Sequence, residues 1–488
     1  MTEFSIEASR HRPGRSLPSW RWEALRTTFW LAPTVMVVVA VLLFVVTIEI
    51  DWAAYHQHLH LPFWVESGSA DAARQVLIAI AAATITVVGV VFSITILALT
   101  LASQQFGPRM MRNFVRDVGN QLTLGTFVAT FVYSVLALVS ITSVAHRPDF
   151  VPHLCVSTSE ALLLVDLAVL IYFIHHIAKS IQLPEVIAGI ARDLMGAIDA
   201  EFPDHVAAGA PAPGPSGLPA VGAPAVPTAG GAGVGPPPAA GDRPVAELLR
   251  LLDDRGGTVT ASNSGYLQFV GYAQLVGIAA RLDAVVRLNH RAGHFVVAGS
   301  PLATVWPRGA ADQVRMALSE AHVTGPHRTL MQDPVFAVDQ LVEIAIRALS
   351  PAVNDTFTAL TCIDWLSAGL SRLSGRALSD AVYRDDFGRV RLIASFPSYA
   401  HMVNRAIDKI RQAARGMPAV IIRLIDALTV VAEQTTSVDQ RRVLLRQGDM
   451  VLRSAGESVP DENDLADIRL RYQRLRARCS EEDERSGG

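Results

Sequence analysis

Four long apolar runs constrain this chain more than any other feature of its sequence. They cover residues 29–48, 76–102, 122–143 and 161–178, and only the last contains a charged residue. A helix rises about 1.5 Å per residue, so about 20 apolar residues cross a hydrocarbon core of about 30 Å. The first run ends at Ile48-Glu49 rather than at small residues, which favours an anchor over a cleaved signal peptide. We therefore expect four transmembrane helices.

Arginine placement in the short loops predicts the orientation of these helices. The N-terminal arm is rich in arginine, and the loop after the second run contains Arg109, Arg112 and Arg116. The loops after the first and third runs contain only Arg74 and Arg147 as basic residues. Loops rich in Lys and Arg remain in the cytoplasm. The sequence thus predicts a multipass protein of the bacterial inner membrane with both termini in the cytoplasm.

Small and weakly polar residues in the second run form a candidate ion path. Thr86, Gly89, Ser93 and Thr100 share one helix face. Such a face either lets two helix backbones approach closely or lines a pore. Gly125 begins a similar stripe in the third run. Packing is the simpler interpretation of either stripe alone.

Asp166 lies near the middle of the fourth run and is the strongest functional signal within the apolar segments. A carboxyl group at that depth is costly, so it marks an ion or proton path unless a neighbour satisfies it. A hydrogen bond to Tyr133 or Thr130 is the structural alternative. His175 and His176, near the cytoplasmic end of the same run, either belong to this path or contact lipid headgroups.

Arg109, Arg112 and Arg116 are spaced to stack on one helix face. Attraction to anionic lipid headgroups at the cytoplasmic surface, worth about 1 kcal/mol for each residue, is one interpretation. A basic inner mouth that gathers anions at a pore is the other. The first outer loop also contains His56, and whether the histidines of this loop (His56, His58, His60) bind a metal ion stays open.

The whole-chain numbers exclude several other classes. The net charge is −3, which gives no reason to expect nucleic-acid binding. The three cysteines lie far apart and form neither a disulfide framework nor a thiolate metal site. No Ser-His-Asp order, carboxylate pair or metal-ligand spacing indicates an enzyme. We expect no catalytic residues, no metal and no cofactor.

Beyond the fourth run the composition changes to that of a large cytoplasmic part. The expected segments are an N-terminal arm (1–28), a transmembrane domain (29–180), a juxtamembrane helix (181–204), an Ala/Gly/Pro-rich linker (205–243), a small β-rich module (244–309), a helical domain (310–478) and a disordered tail (479–488). The predicted fold is a mainly α-helical membrane protein, with a four-helix transmembrane domain and a cytoplasmic α+β domain in which a helical bundle follows the β-rich module.

Turn residues in the β-rich module predict local strand pairs. Thr258–Thr260 and Tyr266–Val270 flank the turn at Ser264-Gly265, and Ala284–Leu288 is expected to pair with His294–Val297. Further along, Val390–Ser395 is predicted as an isolated strand.

Two polar clusters in the helical domain form a candidate cytoplasmic site. Their members are His327, Arg328, Asp333, Asn354 and Asp355. Asp333-Pro334 and Ser350-Pro351 each predict a helix start, with a polar cap followed by proline in the first turn. Capping alone explains much of both clusters. A composite polar site on facing helix ends is the alternative.

Several strings in combination resemble one bacterial family. They are Ala102-Ser103-Gln104-Gln105-Phe106-Gly107-Pro108-Arg109, Tyr172-Phe173-Ile174-His175-His176-Ile177, Ser264-Gly265-Tyr266, His327-Arg328-Thr329, Gln332-Asp333 and Arg347-Ala348-Leu349-Ser350-Pro351-Ala352-Val353-Asn354-Asp355. The chain resembles the predicted membrane proteins called the DUF2254 family. Residues 205–243 look like an insertion, and His294 stands where the family usually has an acidic residue. The resemblance implies a multipass membrane protein with a cytoplasmic domain and lends no activity.

Two functional hypotheses follow. The first is an oligomeric channel- or transporter-like protein whose cytoplasmic domain regulates it. The second is a membrane scaffold or sensor that transports nothing and binds a ligand or partner protein through that domain. The expected partners are the lipid bilayer with its anionic headgroups, further copies of the same chain, and an unidentified cytoplasmic ligand or protein.

Overall fold

The computed structural model describes two units of the chain. Its described residues are 30–57, 69–106, 118–141, 150–180, 182–202, 240–374, 376 and 381–480. The N-terminal unit covers Pro18–Val186, and the C-terminal unit runs from Ile187 onward. The predicted basic cluster at Arg109, Arg112 and Arg116 and the side chains of His56, His58 and His60 lie outside the described residues.

Four helices form the described part of the N-terminal unit. They are α1 (Leu31–Gln57), α2 (Ala70–Phe106), α3 (Val118–Ser140) and α4 (His153–Ser180). Each is long and apolar enough to cross a membrane. Helix α3 packs against the other three and is the centre of the bundle. The helices extend past most ends of the four apolar runs because polar residues such as Asp51 continue them beyond the apolar segment.

The next helix, α5 (Leu183–Glu201), is amphipathic. Its buried apolar residues recur at helical spacing: Ile187, Ile190, Leu194 and Ile198. Near its end, Asp199 accepts hydrogen bonds from Nε and Nη2 of Arg372, at 2.6 and 2.5 Å. Arg376 donates to the carbonyl of Phe202 at 3.1 Å. The end of α5 is therefore fixed to the body of the C-terminal unit.

Eight short strands follow along the C-terminal unit. They are β1 (Gly257–Thr260), β2 (Gly265–Val270), β3 (Val285–Leu288), β4 (Phe295–Val296), β5 (Pro301–Trp306), β6 (His322–Gly325), β7 (Ala381–Arg384) and β8 (Val390–Ala394). Five of them form a sheet in the order β1-β5-β3-β8-β7, and three form a second sheet in the order β4-β2-β6. Only the pairing of β3 with β8 is parallel.

Nine further helices complete the described part of this unit. They are α6 (Val245–Arg255), α7 (Tyr272–Arg281), α8 (Ala311–Ala321), α9 (Pro334–Ala348), α10 (Thr356–Ser374), α11 (Tyr399–Ala413), α12 (Pro418–Glu433), α13 (Val438–Ser458) and α14 (Glu462–Ser480). Helices α9 to α14 pack on one another as a bundle. The α+β expectation for this region is confirmed.

The local strand pairings predicted from turn residues are wrong. Strand β1 pairs with β5, whereas β2 pairs with β4 and β6 in the other sheet. Strand β3 pairs with β5 and β8 rather than with β4. Val285, Val286 and Leu288 of β3 are all buried, which is typical of a strand inside a sheet that is covered on both faces. The two-residue β4 is too short to cover it.

The prediction of an isolated strand near residue 390 is also wrong. Every residue of β8 is buried, and the strand lies between β3 and β7. Its sequence is a continuous apolar run interrupted only by Arg391, which is typical of a strand covered on both faces. The sheet therefore joins chain segments that lie about 100 residues apart in sequence.

Ser350-Pro351 does not begin a helix. These residues form a turn, and α10 begins at Thr356. Asp355 is the cap instead, since its carboxylate accepts hydrogen bonds from the backbone N–H and the hydroxyl of Thr358 at 3.1 and 2.5 Å. Asp333 does cap α9, with the N–H of Phe336 donating to it at 3.2 Å and Pro334 in the first position.

Candidate functional site

One face of α3 carries polar side chains into the interior of the N-terminal bundle. The residues share a spacing of three or four and are buried: Asn120, Thr123, Thr126, Thr130 and Ser134. Thr123 and Thr126 donate back to carbonyl oxygens one turn earlier, at 2.8 and 2.9 Å. We call these five residues, together with Asp166 of α4, the polar column.

Asp166 contacts the middle of this face. Its side chain is buried, and the hydroxyl of Thr130 donates to its Oδ1 at 3.2 Å. Within the described residues, Oδ2 of Asp166 and the hydroxyls of Ser134 and Ser159 have no hydrogen-bond partner. Buried polar atoms in a protein interior are usually satisfied by protein, water or an ion. The column therefore contains unsatisfied hydrogen-bonding capacity around a carboxyl group.

A second polar contact set lies where α1 meets the start of α4. The carboxylate of Asp51 accepts the backbone N–H groups of Leu154 and Cys155, each at 3.0 Å. The Tyr133 and Thr47 hydroxyls are 2.8 Å apart. A carboxylate at a helix N-terminus satisfies free donors and complements the helix dipole. Asp51 thus holds the ends of two helices together.

The predicted stripe on α2 lies on the outer surface of the N-terminal unit. Its members Thr86, Gly89, Ser93 and Thr100 are all exposed. The three hydroxyls donate to carbonyl oxygens of their own helix, at 2.7 to 2.9 Å. Within one chain, the buried hydroxyls therefore lie mainly on α3 rather than on this stripe of α2.

The two histidines of α4 are separated from Asp166 by more than two turns. His175 is exposed, and His176 stacks on Tyr172 with ring centroids 5.4 Å apart. Adjacent residues of a helix point about 100° apart, which is why only one of the pair meets the tyrosine.

A buried ion-pair network forms the core of the second candidate site, in the C-terminal unit. Arg328 donates from Nε to Asp333 at 2.7 Å and from Nη1 to Asp339 at 2.6 Å. Arg405 donates to both oxygens of Asp339, with Nη2 at 3.0 Å from Oδ2. Asp333 is only 2% exposed and Asp339 only 8%. Both carboxylates are thus held by guanidinium groups where water is largely excluded.

Asp333 also joins several elements. It caps α9, and burial raises its pKa even though Arg328 acts in the opposite direction. The preceding residue, Gln332, hydrogen-bonds both the N–H and the carbonyl of Val270 on β2, at 2.8 and 3.1 Å. The loop that presents Asp333 is therefore attached to the small sheet.

The turn after β3 brings a second set of basic residues to this network. Gly293, with φ of +90°, lies against the Asp333 carboxylate. Burial and the positive charges of Arg291 and Arg328 lower the pKa of His294 to about 4. The His290 and His294 rings lie 5.7 Å apart. This turn places an arginine and the imidazoles of His290 and His294 near the Asp333 carboxylate.

Glu201, the last residue of α5, lies close to the same network. Burial and the neighbouring negative charge of Asp333 together raise its pKa to about 8. Tyr272 and Tyr383 are its other electrostatic neighbours, and their rings stack with centroids 5.1 Å apart. At neutral pH the carboxyl group of Glu201 therefore holds its proton.

The structure divides the predicted cytoplasmic cluster. Arg328 and Asp333 lie together, whereas Asp355 caps α10 and Asn354 is exposed with φ of +50°. His327 is exposed, and its carbonyl accepts a hydrogen bond from the Gln268 amide at 2.7 Å. Only Arg328 and Asp333 of the five predicted residues belong to the ion-pair network.

Comparison with known proteins decides the family. The profile of the family described as "Predicted membrane protein (DUF2254)" matches residues 26–430. The chain belongs to the DUF2254 family. Uncharacterised proteins of Mycobacterium bovis and Mycobacterium tuberculosis are each 34% identical to this DUF2254 chain over 405 residues, which is 82% of the chain and 71% of each relative. No solved structure matches it.

Several residues in and around the network were not predicted as site residues from the sequence of this DUF2254 chain: Glu201, Arg291, His294, Asp339 and Arg405. Asp339 carried a usable signal, because it is an acidic residue on the apolar face of a predicted helix. Arg405 lies among other charged residues of an amphipathic helix, where nothing distinguishes it from a solvated side chain.

Proposed function

We propose that this DUF2254 protein conducts protons or small cations across the bacterial inner membrane along the polar column. The C-terminal unit would act as its cytoplasmic regulatory domain. The observation that carries the proposal is the carboxyl group of Asp166, which is buried, accepts a hydrogen bond from Thr130 and has one oxygen without a partner within the described residues.

The chemistry of the column favours cations over anions. Its described members are hydroxyls, amides and one carboxyl group, and none carries a positive charge. Hydroxyl groups can both accept and donate a hydrogen bond, so a row of them can pass a proton. Ionisable residues at membrane depth typically mark ion or proton pathways. A protonated Asp166 would give the column a neutral resting state.

Helix packing is the competing explanation for the same contacts. The hydrogen bond from Thr130 to Asp166 joins α3 to α4, as a packing contact would. It leaves unexplained why Ser134, Ser159 and the second oxygen of Asp166 remain unsatisfied within the described residues. A pure packing contact gains nothing from these buried polar atoms, which cost free energy without a partner.

Assembly with further copies of the chain is part of the proposal. The small residues of α2 face outward, and a Cβ atom added at Gly89 would meet nothing within 4 Å. Small residues let helices of neighbouring copies approach closely in a membrane. We assign the basic residues Arg109, Arg112 and Arg116 to anionic headgroups at the cytoplasmic surface.

Ion flux into liposomes tests the proposal. The purified full chain would be reconstituted in vesicles that enclose a pH-sensitive dye, and a potassium gradient with valinomycin would drive proton entry. We expect flux with the wild-type protein and its loss with Asp166→Asn, which keeps the size of the side chain. Thr34→Ala, at an exposed hydroxyl of α1, is the control and should leave flux unchanged. Equal flux in empty and protein-containing vesicles would refute conduction.

A sensor or scaffold that transports nothing is the alternative. The buried Arg328–Asp333–Asp339–Arg405 network favours it, because a charged site in the C-terminal unit could serve ligand binding without any pore. Catalysis is part of neither proposal. Ligand binding by the C-terminal unit together with absent flux would select this alternative.

A further inference from the structure

The ion-pair network has more guanidinium groups around it than carboxylates. Arg328 and Arg405 already share Asp333 and Asp339 through direct hydrogen bonds. Arg291 adds a third guanidinium group nearby. Two carboxylates therefore face three guanidinium groups, and the cluster keeps one positive charge.

Arg291 is the unusual member. It is partly buried, which lowers its pKa, and it interacts with Asp333 and Arg328 through space. Its guanidinium group makes no hydrogen bond within the part of the chain that the structure describes. A partly desolvated guanidinium group with free donors is costly unless an acceptor binds to it.

Two histidines complete a set of donors around this guanidinium group. The turn that carries Arg291 and His294 lies against Asp333 through Gly293, and His401 is one helical turn before Arg405, which binds Asp339. Arg291 also lowers the pKa of both imidazoles. His294 lies on the turn after β3, and His401 lies in the first turn of α11. Neither imidazole ring hydrogen-bonds another described residue. The free donors thus come from two separate elements that meet at one place.

Glu201 would repel an anion at this place if it were ionised. Burial raises its pKa to about 8, so near neutral pH it is mainly uncharged. An uncharged carboxyl group can instead donate a hydrogen bond. Glu201, which lies near Asp333, is therefore compatible with an anionic ligand.

We propose that Arg291, His294 and His401, backed by Arg328 and Arg405, form a binding site for a phosphate-type oxyanion. We call these five residues the arginine–histidine site. A planar guanidinium group presents paired N–H donors that match two oxygens of a phosphate group. The site is half-open to solvent, so the ligand would be inorganic phosphate, the phosphate group of a small monoester, or the monoester headgroup of an anionic lipid. This binding site is independent of conduction through the polar column.

Calorimetric titration of the purified full chain tests the site. The probes are inorganic phosphate and glycerol 3-phosphate in detergent, and phosphatidic acid in nanodiscs of phosphatidylcholine. We expect phosphate to bind and Arg291→Gln to weaken binding about tenfold or more, as loss of a charged hydrogen bond does. Arg315→Gln removes an exposed arginine paired with Asp312 on α8 and is the matched control. It should bind as the wild type does.

Proton uptake provides a second readout that a purely structural role would not change. A bound anion stabilises the charged form of nearby imidazoles, so binding at neutral pH should take up protons, and His294→Gln should reduce this uptake. Titration in buffers of different ionisation enthalpy measures it. Binding of phosphatidic acid alone would identify the lipid headgroup as the ligand. Failure of all three probes to bind, or equal affinity in wild type and Arg291→Gln with an unchanged unfolding temperature, would overturn the proposal.

Discussion

The backbone of Gly293 lies so close to the carboxylate of Asp333 that a Cβ atom at this glycine would overlap it. The residue also has φ of +90°, a conformation that side chains disfavour. The turn after β3 and the cap of α9 are therefore in direct contact. This contact joins the β-rich part of the C-terminal unit to its helical part.

Gly293→Ala should destabilise the C-terminal unit by about 2 kcal/mol or more, since backbone strain of about 1 kcal/mol adds to the overlap with Asp333. Gly299→Ala is the control, because Gly299 has φ of +83° and open space around its Cβ position. Urea unfolding followed by circular dichroism measures both. Equal losses of stability in the two variants would show that backbone strain accounts for the whole effect and the overlap with Asp333 for none of it.

Arg391 should be essential to the five-stranded sheet. Its side chain is 2% exposed and donates to Asp283 and Asp385, each at 2.8 Å. Arg391→Met leaves the buried Asp385 without its cation, which should cost about 3 kcal/mol. Arg389→Met removes a half-exposed partner of Asp242 and should cost less than about 1 kcal/mol. The same denaturant titration compares them, and similar losses would contradict this reasoning.

The stability of the C-terminal unit should fall as pH rises from about 6.5 to about 8. Glu201 has a raised pKa of about 8 in the folded chain against an ordinary 4.5, so unfolding releases its proton and becomes easier as pH increases. Below about pH 6.5, His294 makes the stability rise with pH, because its pKa is about 4 in the folded chain against an ordinary 6.5.

Glu201→Gln should flatten this dependence in thermal unfolding measured across that pH window. Glu320→Gln changes an exposed glutamate on α8 and should keep the wild-type slope. If Glu201→Gln keeps the wild-type dependence of stability on pH, a group other than Glu201 releases the proton on unfolding.

Gly125 and Gly89 should respond differently to a larger side chain. A Cβ atom at Gly125 would lie 2.6 Å from Sδ of Met36 and 3.1 Å from Cα of Pro33, because α1 and α3 are in close contact there. Gly125→Val should therefore lower the thermal stability of the detergent-purified chain, by roughly 1–3 kcal/mol. Gly89→Val should leave the stability of the single chain unchanged.

Size-exclusion chromatography with light scattering would then show what the Gly89 face does. A lower oligomeric state in Gly89→Val would support assembly through α2. An unchanged state would count against assembly through that face.

Sequence reasoning located the four apolar helices because hydrophobic length is a local property of the chain. It also located Asp166 and its partner Thr130, since a single carboxyl group within an apolar run demands a hydrogen bond. It named the exposed face of α2 as a candidate path, whereas the buried hydroxyls of one chain lie mainly on α3. The hydroxyls of α2 and α3 are alike in sequence, and only packing around the central α3 decides which of them are buried.

The arginine–histidine site was harder to foresee. Arg291, Arg328 and Arg405 come from a turn, a loop and a helix that meet only after the strands have paired across long distances. The predicted hairpins failed for the same reason, because turn residues report where the chain reverses and not which strand becomes its neighbour. Asp333 was found because a capping residue is recognised from its own few positions.

The ends of the segment between α5 and α6 are both fixed to the C-terminal unit. Phe202 is buried where the segment begins, and the buried Ala240 donates its N–H to Asp283 at 3.3 Å where the described chain resumes. The chain between these two ends therefore does not connect the C-terminal unit to the apolar helices. Closing a loop costs only about 0.6 kcal/mol more for each doubling of its length. Evolution or an engineer can therefore shorten it, extend it or insert a reporter domain there without changing how the rest of the chain is connected.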